Sequence, residues 1–72
     1  LFRSDPASGL TPRQREILRL LVDGHSAKEI ARLLDISHRT VEYHKYQAME
    51  ALGVATNAEL IQLALRLGIA GR

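Results

Sequence analysis

Arg39, Glu42, Tyr43 and Tyr46 stand at i, i+3, i+4 and i+7, and on an α-helix that spacing gathers them on one face. Such a face carries a guanidinium, a carboxylate and two phenols. No nucleophile sits beside a base in this set, so its chemistry is recognition and not bond making. An ionised carboxylate only accepts hydrogen bonds, which suits the amino group of cytosine, while a phenol offers a ring to a thymine methyl and a hydroxyl to a phosphate or base. An acid facing a polyanion needs cations nearby, and Arg39 and Lys45 lie one turn away on either side. The same closeness allows Glu42 an intrahelical pair with Arg39 or Lys45 and no base contact. The tyrosines, likewise, could pack on a neighbouring helix.

Phosphate contacts position a protein on a duplex without reading it. The candidates are Lys28, Arg39, Thr40, His44 and Lys45, with the backbone amides that open the flanking helices; for Lys28 plain surface charge is the alternative. His25, His38 and His44 are 13 and 6 residues apart, a spacing that puts no two on one helical face, so neither a metal site nor a cofactor is expected. With no Gly-rich phosphate loop either, an enzyme is not expected.

The elements that hold these side chains are legible from caps and periodicity. Residues 26–52, SAKEIARLLDISHRTVEYHKYQAMEAL, contain two helical patterns and a tight turn at Asp35-Ile36. The first opens on Ser26 with Glu29 three residues on, a capping box, and turns Ala27, Ile30, Ala31 and Leu34 inward. The second opens on Ser37, buries Val41, Ala48 and Leu52, and stops at Gly53, with Val54 packing back on Met49. Asp35 is expected in the left-handed turn position, at some cost, and Ile36 as a plug between the two helices. A short helix, a sharp turn and a longer helix over about 38–52 make a helix-turn-helix, whose second helix is shaped for the major groove. Before it, a helix opens at Thr11 with Pro12 at its first position, carries Ile17, Leu18, Leu21 and Val22 as its stripe, and ends at Gly24. After it, a helix over about 57–67 opens at Thr56 with Glu59 three residues on. Its apolar residues Ala58, Leu60, Ile61, Leu63, Ala64, Leu65 and Leu67 are too many for one buried stripe, so Ile61, Leu65 and their neighbours are expected to leave an apolar patch. The fold class is all-α with four helices, over residues 10–72; residues 1–9, with Pro6 and Gly9, are expected as a flexible linker.

From Leu10 to Val54 the string LTPRQREILRLLVDGHSAKEIARLLDISHRTVEYH, followed by ALGV, resembles the LuxR/FixJ (GerE-like) DNA-binding domain of bacterial transcription regulators, and the resemblance continues through TNAELIQLALRLGI. It implies a sequence-specific DNA-binding domain in which Glu42, Tyr43 and Tyr46 match positions that reach into the groove. It also implies a homodimer on DNA through the fourth helix, and a missing N-terminal receiver or ligand-binding domain, with response-regulator output domains the nearest likeness. Two residues depart from the family pattern. Asp35 stands where glycine is usual, and Lys45 fills an inward-leaning position often occupied by Val or Leu. Its stem is expected to pack while the ammonium reaches solvent or phosphate. Two-fold symmetry would ask for an inverted repeat with half-sites about one helical turn apart.

Seventy-two residues make one small domain of modest stability. There is no cysteine, and the net charge is +2, which tolerates a polyanionic partner without demanding one. No apolar run approaches a bilayer-spanning length, so no membrane partner and a cytoplasmic location are expected. The chain opens on Leu1 and is expected to be a piece of something longer. Two other functions fit parts of the pattern. A sigma-factor-like promoter reader shares the helix-turn-helix but has no need of the apolar fourth helix, and a protein-interaction module would use that helix without DNA.

Overall fold

A computed structural model describes residues 9–69; the expected linker falls, but for Gly9, outside the described residues. Four helices follow in order, α1 (Pro12–Val22), α2 (Ala27–Leu34), α3 (His38–Leu52) and α4 (Asn57–Arg66), with no strand among the described residues. The expected 38–52 helix has the observed bounds. α4 ends one residue before the expected 67, with Leu67 as its cap.

Each helix is opened by a hydroxyl. Thr11, Ser26, Ser37 and Thr56 lie in extended backbone and accept from the amides of Gln14, Glu29, Thr40 and Glu59 respectively. In α1, α2 and α4 the side chain at that third position reaches back to the amide of the cap, so two donors that the helix cannot satisfy are paired at each start.

Each helix also closes alike. The amides of Gly24, Asp35, Gly53 and Gly68 donate to Leu21, Arg32, Glu50 and Leu65, and the next amides, of His25, Ile36, Val54 and Ile69, donate to Leu20, Ala31, Met49 and Ala64. This is the paired bonding of a Schellman motif, which needs a left-handed residue at its centre. Three of the four have glycine there. Asp35 takes the position in α2 with φ 56° and ψ 47°, the one positive-φ residue among the described residues that is not glycine.

These stops make short connections that aim the helices at one core. Ile17, Leu18, Ile30, Val41 and Leu60 are fully buried at its centre, with Leu10, Leu21, Ala31, Ala48, Met49, Ala64 and Ile69 around them. α1 packs on α2, α3 and α4, and α2 packs on α3. Ile36 and Val54, each just past a helix end, pack against the core as expected. Three residues, Asp35, Ile36 and Ser37, therefore join α2 to α3. Ile36 anchors the join while Ser37 starts the next helix. The angle between α2 and α3 is held by burial and capping.

Candidate nucleic-acid interface

Val41, Ala48 and Met49 bury one side of α3 against α1 and α2. The other side stands clear. Tyr43 and Tyr46 are 60% and 57% exposed, and Arg39 and Gln47 are exposed with them. The structure thus brings Arg39, Tyr43 and Tyr46 onto one outward ridge, as their spacing requires. Arg39 has no ion-pair partner among the described residues, so its guanidinium is available to a ligand.

Glu42 belongs to the same stripe but is more enclosed, its side chain 29% exposed. Its Oε1 lies 3.2 Å from Lys45 Nζ and its Oε2 lies 3.4 Å from His38 Nε2. Of the two cations expected to compete for it, Lys45 is the one engaged, and His38 takes the place considered for Arg39. Helical spacing places Arg39, His38 and Lys45 all within reach, so the choice between them depends on rotamers that spacing does not specify.

Lys45 packs its stem as expected, but its ammonium does not simply reach outward. The side chain is 14% exposed, and Nζ lies 5.0 Å from the centroid of the Tyr46 ring, within cation–π range. His44 is half-buried, its ring edge-on to Tyr43 with centroids 5.5 Å apart and planes at 68°. Thr40 is half-buried in the first turn of α3. Its amide donates to Ser37 Oγ at 3.0 Å and the two hydroxyls are 2.9 Å apart. Lys28 is exposed in the first turn of α2, on a different helix from the ridge.

Two features were not singled out in the sequence. His38 enters the sequence reading only through the metal question, yet its position four residues before Glu42 is the signal for a pair. Leu33 is exposed and lines a shallow groove with His25, Glu29 and Arg32; its phase outside the Ile30, Ala31, Leu34 stripe could have found it. His25 pairs with Glu29 at 3.5 Å, and the Glu29 carboxyl is held below its ordinary pKa, first by the hydrogen bond it accepts from the Ser26 amide and then by His25. Among the described residues no three His, Asp or Glu side chains gather as metal ligands would, and no helix is long and apolar enough to cross a membrane.

On α4, Leu60 and Ala64 face the core. Leu65 is 56% exposed, and Ile61 is half-buried without joining the residues packed on the core. The apolar residues beyond one stripe are therefore divided between the monomer and its surface.

The whole segment 26–52 has four cations, Lys28, Arg32, Arg39 and Lys45, against four acids, Glu29, Asp35, Glu42 and Glu50. Attraction to a polyanion must come from where these charges sit, not from an excess of one sign.

The family model for bacterial regulatory proteins of the luxR family, GerE, matches residues 8–64. Among curated proteins, the chain is 48% identical over 60 residues, 83% of its length, to the uncharacterized response regulatory protein YgeK of Escherichia coli. It is 48% identical over 69 residues, 96% of its length, to the transcriptional regulatory protein MctR of Rhizobium johnstonii. It is 44% identical over 63 residues, 88% of its length, to the oxygen regulatory protein NreC of Staphylococcus aureus. The chain spans 41%, 31% and 29% of the lengths of these three relatives. No solved structure gives a significant match. The four helices, the three-residue join between α2 and α3, and the match over most of the chain agree: the chain belongs to the luxR family of bacterial regulatory proteins, as its helix-turn-helix DNA-binding domain.

Proposed function

We propose that this domain reads double-stranded DNA by laying the outer ridge of α3 in the major groove, with Arg39, Glu42, Tyr43 and Tyr46 toward base edges. Lys28, Thr40 and His44 lie toward the phosphates that flank the groove, Arg39 can reach either base edge or phosphate, and Lys45 stays with Glu42. The observation that carries this reading is the ridge itself: two phenols, and a guanidinium with no ion-pair partner among the described residues, stand exposed on the helix whose opposite side is locked in the core. A half-buried helix with a polar, aromatic outer side has the width and the donor and acceptor set that a major groove accepts.

On DNA the domain acts as a homodimer through α4, with Ile61 and Leu65 at the contact. The support is the exposure of Leu65 beside Ile61, apolar surface that the monomer does not cover. The full protein is a cytoplasmic transcription regulator in which an N-terminal receiver or ligand-binding domain supplies the input; the response-regulatory relative and the chain's short span of its relatives support this.

Binding to a duplex selected from random DNA, measured across a salt series, tests the proposal. Affinity should fall steeply as salt rises, because each phosphate contact displaces counterions. No binding to any duplex at any salt would leave a protein-interaction module as the surviving reading.

A further inference from the structure

We infer that Glu42 and Lys45 meet DNA as one neutral unit, with Lys45 a positioning residue that cancels and aims the Glu42 carboxylate and not an independent phosphate-binding cation. This rests on α3 being the DNA-reading helix. Lys45 Nζ has two partners on its own helix, Glu42 Oε1 at 3.2 Å and the Tyr46 ring at 5.0 Å. Its side chain is largely covered, 14% exposed. To bind a phosphate, Nζ would have to leave both partners and strip Glu42 of its main counter-charge as the acid enters a polyanionic groove. A carboxylate desolvated there without a partner is costly. Arg39, exposed and without an ion-pair partner among the described residues, supplies a phosphate-seeking cation on the same helix at no such cost.

The arrangement explains how an acid can stand on a DNA-reading face. A carboxylate offers about four lone-pair sites; Lys45 Nζ lies 3.2 Å from one Glu42 oxygen and His38 Nε2 lies 3.4 Å from the other. With the Glu42 side chain 29% exposed, the carboxylate keeps acceptor capacity for a donor such as the cytosine amino group. A base pair without a donor there leaves acceptor sites of the carboxylate desolvated and unmet, so Glu42 rejects as well as selects. His38 steadies the carboxylate from the N-terminal side.

The test is a double-mutant cycle read on the selected duplex and on an unrelated one, by fluorescence anisotropy across salt, with circular dichroism melts of every variant. The variants are Glu42→Gln, Lys45→Met, which keeps the stem, and the two combined. Lys45→Met alone should weaken binding to both duplexes by about tenfold or more, because it bares Glu42. The double variant should return to within about threefold of the parent on the unrelated duplex, with the parent's salt slope, having lost its preference at the base pair facing residue 42. A double variant as weak as Lys45→Met, with a salt slope shallower by about 1, is the mark of a lost phosphate contact and overturns the inference. Should the double variant melt early, the charge swap Glu42→Lys with Lys45→Glu keeps a pair in place and is judged by the same two outcomes. A parent that binds no duplex at all removes the DNA reading itself, a distinct result that takes this inference with it.

Discussion

Replacing Asp35 by glycine should make this domain more stable, and the size of the gain follows from where Asp35 sits. Its φ of 56° and ψ of 47° are left-handed, a conformation that crowds Cβ against the following carbonyl and costs an ordinary residue about 1–2 kcal/mol. Aspartate tolerates it through local hydrogen bonds, but among the described residues the Asp35 carboxylate makes none. Its charge also lies at the C-terminus of α2, the negative end of the helix dipole, where an acid is unfavourable by about 0.3–1 kcal/mol. Glycine removes both costs and adds an entropic one, about 0.5–1 kcal/mol for the extra freedom of the unfolded chain. The balance is a stabilisation of about 1 kcal/mol, which in a domain of this size raises Tm by about 4–8 °C. Asp35→Asn keeps the left-handed tolerance and removes only the charge, so it should gain less, and the gain should shrink as salt rises. Thermal melts followed by circular dichroism give the order: glycine highest, asparagine next, the parent lowest. A glycine variant that melts at or below the parent would show that the turn is not strained and refute the reasoning. Cavities or overlaps do not confuse the test, since Asp35 is exposed.

Other expectations follow from the same structure. Ile30 is fully buried in the core, so Ile30→Ala should cost about 2–5 kcal/mol, enough to leave much of so small a domain unfolded; urea titration checks it. Glu29 has its carboxyl pKa lowered in the fold, so the charged form is the one the fold favours, and its stabilisation is present above the unfolded carboxylate range and lost as pH falls through the folded value. Glu29→Gln should therefore lower Tm slightly at neutral pH and converge with the parent at acid pH, so that the acid side of its Tm-against-pH curve is flatter; a curve parallel to the parent's through the carboxylate range would contradict it. Leu65→Asp should leave the melting temperature within a few degrees of the parent, because the side chain lies mostly in solvent, yet halve the protein mass bound per operator in analytical ultracentrifugation. A two-to-one complex that survives the change would place the dimer contact elsewhere.

Much of the architecture was legible because its signals are local. Ser26 with Glu29 and Thr56 with Glu59 announce helix starts through hydrogen bonds that span three residues, and Gly24, Gly53 and Gly68 announce stops through backbone geometry that other residues resist. The division of α3 into a buried and an outer side also follows from periodicity alone, and so the ridge of Arg39, Tyr43 and Tyr46 was foreseeable. The charge pattern on that ridge was not. Spacing made Arg39 and Lys45 equal claimants for Glu42, and only packing of the Lys45 stem, which brings Nζ to the carboxylate and the Tyr46 ring, separates them. The split of α4 into core and surface was foreseeable in kind but not in degree, because how far Ile61 sinks depends on the tilt of α4 on α1, a tertiary quantity.

The most direct measurement of the central claim is nuclear magnetic resonance on the isotope-labelled domain bound to its selected duplex. The account predicts contacts between the ring protons of Tyr43 and Tyr46 and the thymine methyl or cytosine H5 protons that line the major groove, with the largest amide shifts along the N-terminal half of α3. Ring protons that stay in contact with water alone, with shifts gathered on α4 or around Leu33, would contradict it.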